Sequence, residues 1–202
     1  MRILDQKKVG YIPHGYEIEE GAPCDAVTVA GLIGKDVSEV YKTLVLKAGK
    51  GNFYVFVVPG AARLDYKKAA KAVGEKSVAM VLSADLLGLT GYIHGGCSPI
   101  GMKKLFPTVF HEAVLELETV TVSAGKIGRQ IEIKPADLIK LVNGKTADLT
   151  VDEYKKKAHP VFRCAFLFFA INHIRRYNAS QDRLRKFRGN GSLCPYRFRT
   201  LF

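Results

Sequence analysis

Eleven residues, Gly91-Tyr92-Ile93-His94-Gly95-Gly96-Cys97-Ser98-Pro99-Ile100-Gly101, carry four glycines and a proline and have little bulk after Ile93. Gly95 and Gly96 strip one side of the chain of Cβ atoms and permit positive φ, while Pro99 fixes its own φ and drives Ser98 toward extended backbone. A segment of this kind lets backbone approach a ligand closely. Successive amide donors held in advance suit a phosphate or a developing oxyanion, since they need no reorganisation when charge appears. A glycine-rich surface turn has the same composition, and an isolated loop of this type is a weak motif.

The 202 residues fit one domain with an appendage. The formal charge of +12 points to an anionic partner, but it is unevenly distributed. Residues 1–157 hold 22 Lys and Arg against 18 Asp and Glu, whereas residues 158–202 hold 9 against 1. The basic type changes as well, from 19 Lys and 3 Arg before position 158 to 1 Lys and 8 Arg after it. Seven of the eleven Phe also follow position 160. The domain is therefore read as 1–157, with 158–202 an atypical basic, Phe-rich extension outside it. Out-of-frame or read-through translation accounts best for the break. An RNA-binding arm or a membrane-associating segment are the other readings, weakened by the apolar block within the charge and by its interruption at Arg163.

Cys24, Cys97, Cys164 and Cys194 lie far apart, with no Cys-x-x-Cys pair, so neither zinc nor a disulfide framework is indicated. The start Met1–Gln6 lacks a signal-peptide core and no stretch approaches a membrane span, which makes the cytoplasm the expected location.

Along the chain, Ile3–Val9 reads as a short helix stopped by Gly10, Tyr11-Ile12-Pro13 as a turn and Tyr16–Ile18 as a short strand. Asp25 is placed to cap a helix ended by Gly34, and a second short helix is expected from Asp36 or Ser38. Tyr41–Lys47 and Phe53–Val58 read as a hairpin about Gly49–Asn52, with Lys42, Leu44 and Leu46 on one face of its first strand. Asp65 caps a helix ended by Gly74. A strand over Val78–Leu82, a Ser83-capped helix, strands over Val109–Leu117, Val120–Ser123 and Gln130–Ile133, and a helix from Pro135 to Asn143-Gly144 complete the pattern. The fold class is α+β, a mixed and largely antiparallel sheet of about seven strands, partly closed like a barrel and flanked by helices.

Individual residues carry two readings each. Lys42, in an otherwise apolar strand, needs an anion such as a phosphate to offset burial, or else snorkels at the strand end. Ser123, before Ala124-Gly125, either reaches a ligand or caps a turn. Tyr16 either stacks on a base or packs on the sheet. Lys103, Lys104 and Lys126 are candidate phosphate contacts or solvated lysines. His94 and His111 have no acid spaced to orient them and read as ordinary histidines, and Cys97 as a small filler.

Taken together, Tyr41-Lys42-Thr43-Leu44, the Gly91–Gly101 stretch with Lys103-Lys104, Val122–Glu132 and Pro135-Ala136-Asp137-Leu138 resemble the YbaK/EbsC family over residues 1–150. These are free-standing editing domains related to the insertion domain of bacterial prolyl-tRNA synthetase. The resemblance implies a hydrolase that releases cysteine from mischarged tRNA(Pro), without metal or cofactor. Prolyl-tRNA synthetase is implied as a transient partner, and neither membrane nor DNA. It places Lys42, Gly101 and Ser123 in catalysis, and Tyr16, Thr43, Gly95, Gly96, Ser98 and Gln130 around the substrate. Gln130 stands where members of the family can carry Asp. It further implies that the cysteinyl thiol attacks its own ester, a lyase-type step where a thiolactone is the product, with loop amides of Gly95–Gly101 holding the oxyanion. An Ala-tRNA(Pro) deacylase and a non-catalytic tRNA- or nucleotide-binding module are the alternatives.

Overall fold

The computed structural model describes residues 2–17, 25–49 and 51–151. The extension at 158–202, with its Phe-rich block, lies outside the described residues, as do Ile18 and Cys24. Elements in order are α1 (Arg2–Gln6), β1 (Tyr11–Gly15), α2 (Ala26–Ile33), β2 (Tyr41–Ala48), β3 (Phe53–Pro59), α3 (Tyr66–Val73), β4 (Val78–Met80) and α4 (Ser83–Thr90). Then come β5 (Thr108–His111), a 3-10 turn (Glu112–Glu116), β6 (Val120–Lys126), β7 (Arg129–Ile133), α5 (Pro135–Leu141) and β8 (Lys145–Ala147).

The fold is α+β with a mixed sheet, as the sequence implies, but the strands do not close into a barrel. They form an antiparallel three-stranded sheet, β1-β7-β6, and a mixed five-stranded sheet, β4-β2-β3-β5-β8. Among the described residues a parallel bridge, Val40 to Thr121, joins the two. Closure is unnecessary because the edges are blunted in other ways: β4 and β8 are three residues each, and the edge strand β1 contains Pro13, which has no N–H to offer.

Alternation within the strands decides what lies on either side. Tyr41, Val45, Val55, Val57 and Phe110 of the larger sheet pack with Val120, Val122, Ile131 and Ile133 of the smaller one. That is the main core. The reverse face of the larger sheet, with Leu46, Phe56, Val58 and Val109, is covered by Ala69 and Ala70 of α3.

Helix capping follows the sequence closely. Asp25 Oδ1 accepts from the amides of Val27 and Thr28, and Asp65 Oδ1 from those of Lys67 and Lys68; Gly34 and Gly74 end the two helices in left-handed backbone. Tyr16, expected to begin a strand, lies just past the end of β1, and the other departures from expectation have local reasons. Tyr11–Pro13 is strand, because β1 has a neighbour on one side only and tolerates its proline there. Asp36 accepts from the amide and hydroxyl of Ser38, which makes a turn where a helix was expected. Ser83 is the first residue of α4 rather than its cap, a position held by Leu82 without a side-chain bond. The strand expected through Leu117 stops at His111, since the turn that follows buries Val114 alone. β8 has no alternation to announce it and exists through its parallel pairing with β5.

Gly60 sets the seat of α2. A Cβ there would collide with Ala26 at the start of α2 and lie 2.9 Å from the Val40 carbonyl oxygen. Gly60→Ala should therefore cost about 1–3 kcal/mol through overpacking. Urea unfolding is the measurement, and a midpoint equal to that of the parent would refute the packing account.

Candidate active site

The bridge between Val40 and Thr121 makes the outer face of the small sheet continuous with one face of β2. Paired residues share a face, so two steps further along each strand Lys42 and Ser123 also lie on it. Register carries the row onward, because Ser123 pairs with Gln130 on β7 and Gln130 with His14 on β1. Lys42, Ser123, Gln130 and His14 thus form one line across four strands. A second line, Val40, Thr121, Glu132 and Ile12, runs beside it. Helix α2 is held over this face at both ends, by Ala26 against Gly60 and by Lys35 on Glu132.

Lys42 is half-buried and donates to the carbonyl oxygens of Gly60 at 2.9 Å and Ala62 at 2.7 Å. Burial lowers the pKa of its ammonium, and the nearby charge of Asp25 opposes that fall. Asp25 is itself held anionic by the backbone amide of Thr28 and the other N-terminal donors of α2. Two of the three ammonium donors are thus used, and one remains. The strand-end lysine is neither snorkelling freely nor wholly dependent on a ligand.

Ser123 Oγ accepts from the Gly125 amide at 3.3 Å, the turn-capping one of its two readings, and its own hydroxyl hydrogen is left to donate. Gln130, only 6% exposed, donates from Nε2 to the Tyr16 hydroxyl at 3.2 Å. The structure therefore brings Tyr16, Ser123 and Gln130 together with Lys42. Thr43 it does not: alternation turns it to the opposite face of β2, where its buried hydroxyl has no hydrogen-bond partner in the described residues.

The glycine loop docks on the tip of the β6–β7 hairpin. A Cβ on Gly96 would lie 3.2 Å from the Ile127 amide nitrogen. Tyr92 is the pillar between loop and hairpin, its hydroxyl donating to the Ile100 carbonyl at 2.6 Å. Its ring lies 2.6 Å from where a Cβ of Gly125 would be, and its hydroxyl oxygen 3.0 Å from that of Gly101. Several loop donors are already committed: the Gly96 amide to the Ile93 carbonyl and the Ile100 amide to the Ser98 hydroxyl. Ser98 is buried, whereas Gly101, at φ 76°, is exposed at the mouth of the loop. The amide array envisaged from sequence thus loses at least these two donors.

Cys97 is buried among the core residues, which pushes its thiol up to about 12 and leaves no thiolate at neutral pH. His94 is exposed. His111 is a core histidine whose Nδ1 accepts from the Leu149 amide at 3.2 Å. Lys103 donates to the Leu87 carbonyl at 3.3 Å, and Lys104 and Lys126 are exposed on the loop and hairpin. Among the described residues no three His, Cys, Asp or Glu gather as a metal site requires. An open cavity of about 520 Å³ at β4 and α4, lined in part by Lys47, Phe53 and Met80, includes none of the site residues.

A polar cluster escaped the sequence reading. Glu132, 7% exposed, accepts from Lys35 Nζ and Thr119 Oγ1, both at 2.7 Å, and from His14 Nε2 at 2.8 Å. An acid two residues from Gln130, in a strand otherwise burying isoleucines, was the available signal. Its partners come from distant parts of the chain and had none.

Residues 24–141 match the aminoacyl-tRNA editing domain family. A protein of Enterococcus faecalis strain V583, named "Putative Cys-tRNA(Pro)/Cys-tRNA(Cys) deacylase EbsC", is 44% identical over 153 residues, covering 76% of this chain and 93% of its own. A solved structure described as "a putative trans-editing enzyme for prolyl tRNA synthetase" superposes with a TM-score of 0.64 at 25% identity, covering 74% of this chain and 93% of that one. A second, the hypothetical protein APE2540, shares the fold with a TM-score of 0.66 at 23% identity, over 74% and 97% of the two chains. Fold and matches together define an enzyme of the aminoacyl-tRNA deacylase class. The chain belongs to the aminoacyl-tRNA editing domain family, in its YbaK/EbsC branch.

Glu132 couples this site to pH. Burial opposes its ionisation, but the bonds from Lys35, Thr119 and His14 outweigh that and hold its carboxyl at about 2, below the ordinary 4.5. Because the folded value is the lower, the stabilisation is complete above the unfolded value and is lost as pH falls toward 2; it amounts to roughly 3 kcal/mol. Denaturant midpoints should fall between pH 4.5 and 2 in the parent, and Glu132→Gln should flatten that part of the profile. An equally steep profile in the variant would assign the acid sensitivity to other carboxylates.

Proposed function

We propose that the protein is a trans-editing hydrolase that deacylates mischarged Cys-tRNA(Pro). The observation carrying this reading is the single row of Lys42, Ser123 and Gln130, with Tyr16 on Gln130, in a chain similar over nearly the whole length of the E. faecalis relative. In this reading the remaining ammonium donor of Lys42 holds an oxygen of the tRNA 3′ end, and Tyr16 carries the terminal base. The exposed Gly101 amide meets the developing oxyanion, a donor of the kind worth about 2.7–4 kcal/mol. Gly95, Gly96 and Ser98 hold the loop in shape, and Thr43 supports the strand from its other face.

No protein group attacks the ester. Cys97 is protonated and buried, and Ser123 is separated from His14 by the whole of β7, about 10 Å at two strand spacings. The cysteinyl thiol, with an ordinary pKa near 8.5, lies one methylene from the α-carbon and supplies the nucleophile itself. Such an enzyme is needed because cysteine and alanine are no larger than proline, and a pocket gains only about 1–3 kcal/mol from one methylene. Prolyl-tRNA synthetase would be met transiently, as the source of the mischarged tRNA.

Release of labelled amino acid from Cys-, Ala- and Ser-tRNA(Pro) tests the function. Cys-tRNA(Pro) should turn over fastest, and an S-methylated cysteinyl substrate should be hydrolysed far more slowly. Preference for Ala-tRNA(Pro) would make the protein an alanine editor, absence of any turnover would make it a binding module, and equal hydrolysis of the blocked substrate would refute thiol attack.

Lys42→Ala should lower deacylation at least tenfold, about 1.4 kcal/mol, with an unchanged circular dichroism spectrum. Lys42→Arg should not restore it, since a planar fork cannot keep two carbonyls and the substrate on one point charge. Near-parental turnover by Lys42→Ala would remove the residue from the site.

A further inference from the structure

We propose that His14 is a further catalytic residue of the deacylation, the group that carries the proton between nucleophile and leaving oxygen, with its ring set by Glu132. This rests on the deacylase reading above. His14 stands at the end of the row that begins with Lys42, directly across from Gln130. Its side chain is 21% exposed, enough to be reached, while the Glu132 side chain beneath it is 8% exposed.

The tautomer follows from the chemistry of the pair. An ionised carboxylate can only accept, so the contact of 2.8 Å from His14 Nε2 to Glu132 Oε2 requires the hydrogen on Nε2. Nδ1 then keeps its lone pair. The ring makes no other hydrogen bond among the described residues, so Nδ1 can accept a proton and return it. A carboxylate that orients an imidazole and stabilises its protonated form is the arrangement that makes histidine an effective base.

The cluster also holds more than structure requires. Glu132 is neutralised by Lys35 and bonded by Thr119 at its other oxygen, and β1 is already tied to β7 by five residues of backbone pairing. The groups facing His14 are Glu132 on β7, Lys35 after α2 with Glu39 4.0 Å from it, and Tyr16 beyond, whereas Arg129, opposite Gly15, lies on the other face of the sheet.

The step balances without a further reagent. The nucleophile, the substrate thiol or a water molecule, bonds to the ester carbonyl carbon and gives its proton to Nδ1. The bond from that carbon to the 3′ oxygen then breaks, its electron pair stays on the oxygen, and Nδ1 returns the proton there. The products are tRNA with a free 3′ hydroxyl and a thiolactone or free cysteine.

The test is the pH dependence of kcat/KM on Cys-tRNA(Pro) for the parent, His14→Gln, His14→Ala and Glu132→Gln. In the parent kcat/KM should rise with pH along a limb set by the base. His14→Gln should lose that limb and at least about 100-fold in kcat, with KM little changed. Added imidazole should restore part of the activity of His14→Ala, which a merely structural role would not allow. Glu132→Gln should lower kcat with KM little changed, because the ring loses the carboxylate that orients it, and it carries the test if the His14 variants do not fold. An unchanged limb in a folded His14→Gln protein, or a parental kcat in Glu132→Gln, overturns the proposal. No deacylation by the parent of any charged tRNA overturns the function on which it rests, a result distinct from an active parent with an indifferent His14.

Discussion

One hydrogen-bonded bridge, between Val40 and Thr121, brings the candidate site together. Without it the small sheet and the large sheet would each bury one face in the common core and present unrelated outer faces. With it the outer face of β6 and β7 runs on into β2, and side chains far apart in the chain come into line. The backbone bond from Thr121 to the Glu39 carbonyl, 2.8 Å, fixes the phase. A slip of one residue would turn Ser123 or Lys42 into the core, since side chains alternate with a period of two.

That dependence explains what the sequence made legible. Locally determined features were readable: the caps at Asp25 and Asp65, the glycine stops at 34 and 74, the hairpin after β2, the Pro135 helix start. Lys42 and Ser123 could be singled out because each is polar in an apolar strand. Their alignment could not be read, because it rests on one non-local bridge that leaves no periodicity. The same holds for the open sheets. Strand number suggested closure, but the short edges and Pro13 that make closure unnecessary become meaningful only once strand order is known. His14 and Glu132 are separated by 118 positions, so neither marks the other.

The site residues also show how burial of charge is managed. Lys42 and Glu132 both lie on the shared face, yet neither faces apolar surroundings unaided. Carbonyl oxygens and Asp25 compensate the ammonium, while Lys35, Thr119 and His14 compensate the carboxylate. Each charge is compensated before any ligand arrives, so the geometry exists in advance. Catalysis by positioning requires this, because a group that must reorganise on binding spends interaction energy on its own rearrangement.

The Tyr92 pillar bears on how such a chain can change over generations. Gly101 and Gly125, both at positive φ, abut the same tyrosine from different segments. Either glycine would gain a methyl group only at the expense of the ring, and a smaller side chain at position 92 would leave a gap between loop and hairpin. The three positions are therefore coupled. Glycine is required here twice over, by the bulk of a neighbour and by left-handed backbone, so exchange of the tyrosine alone would free neither position.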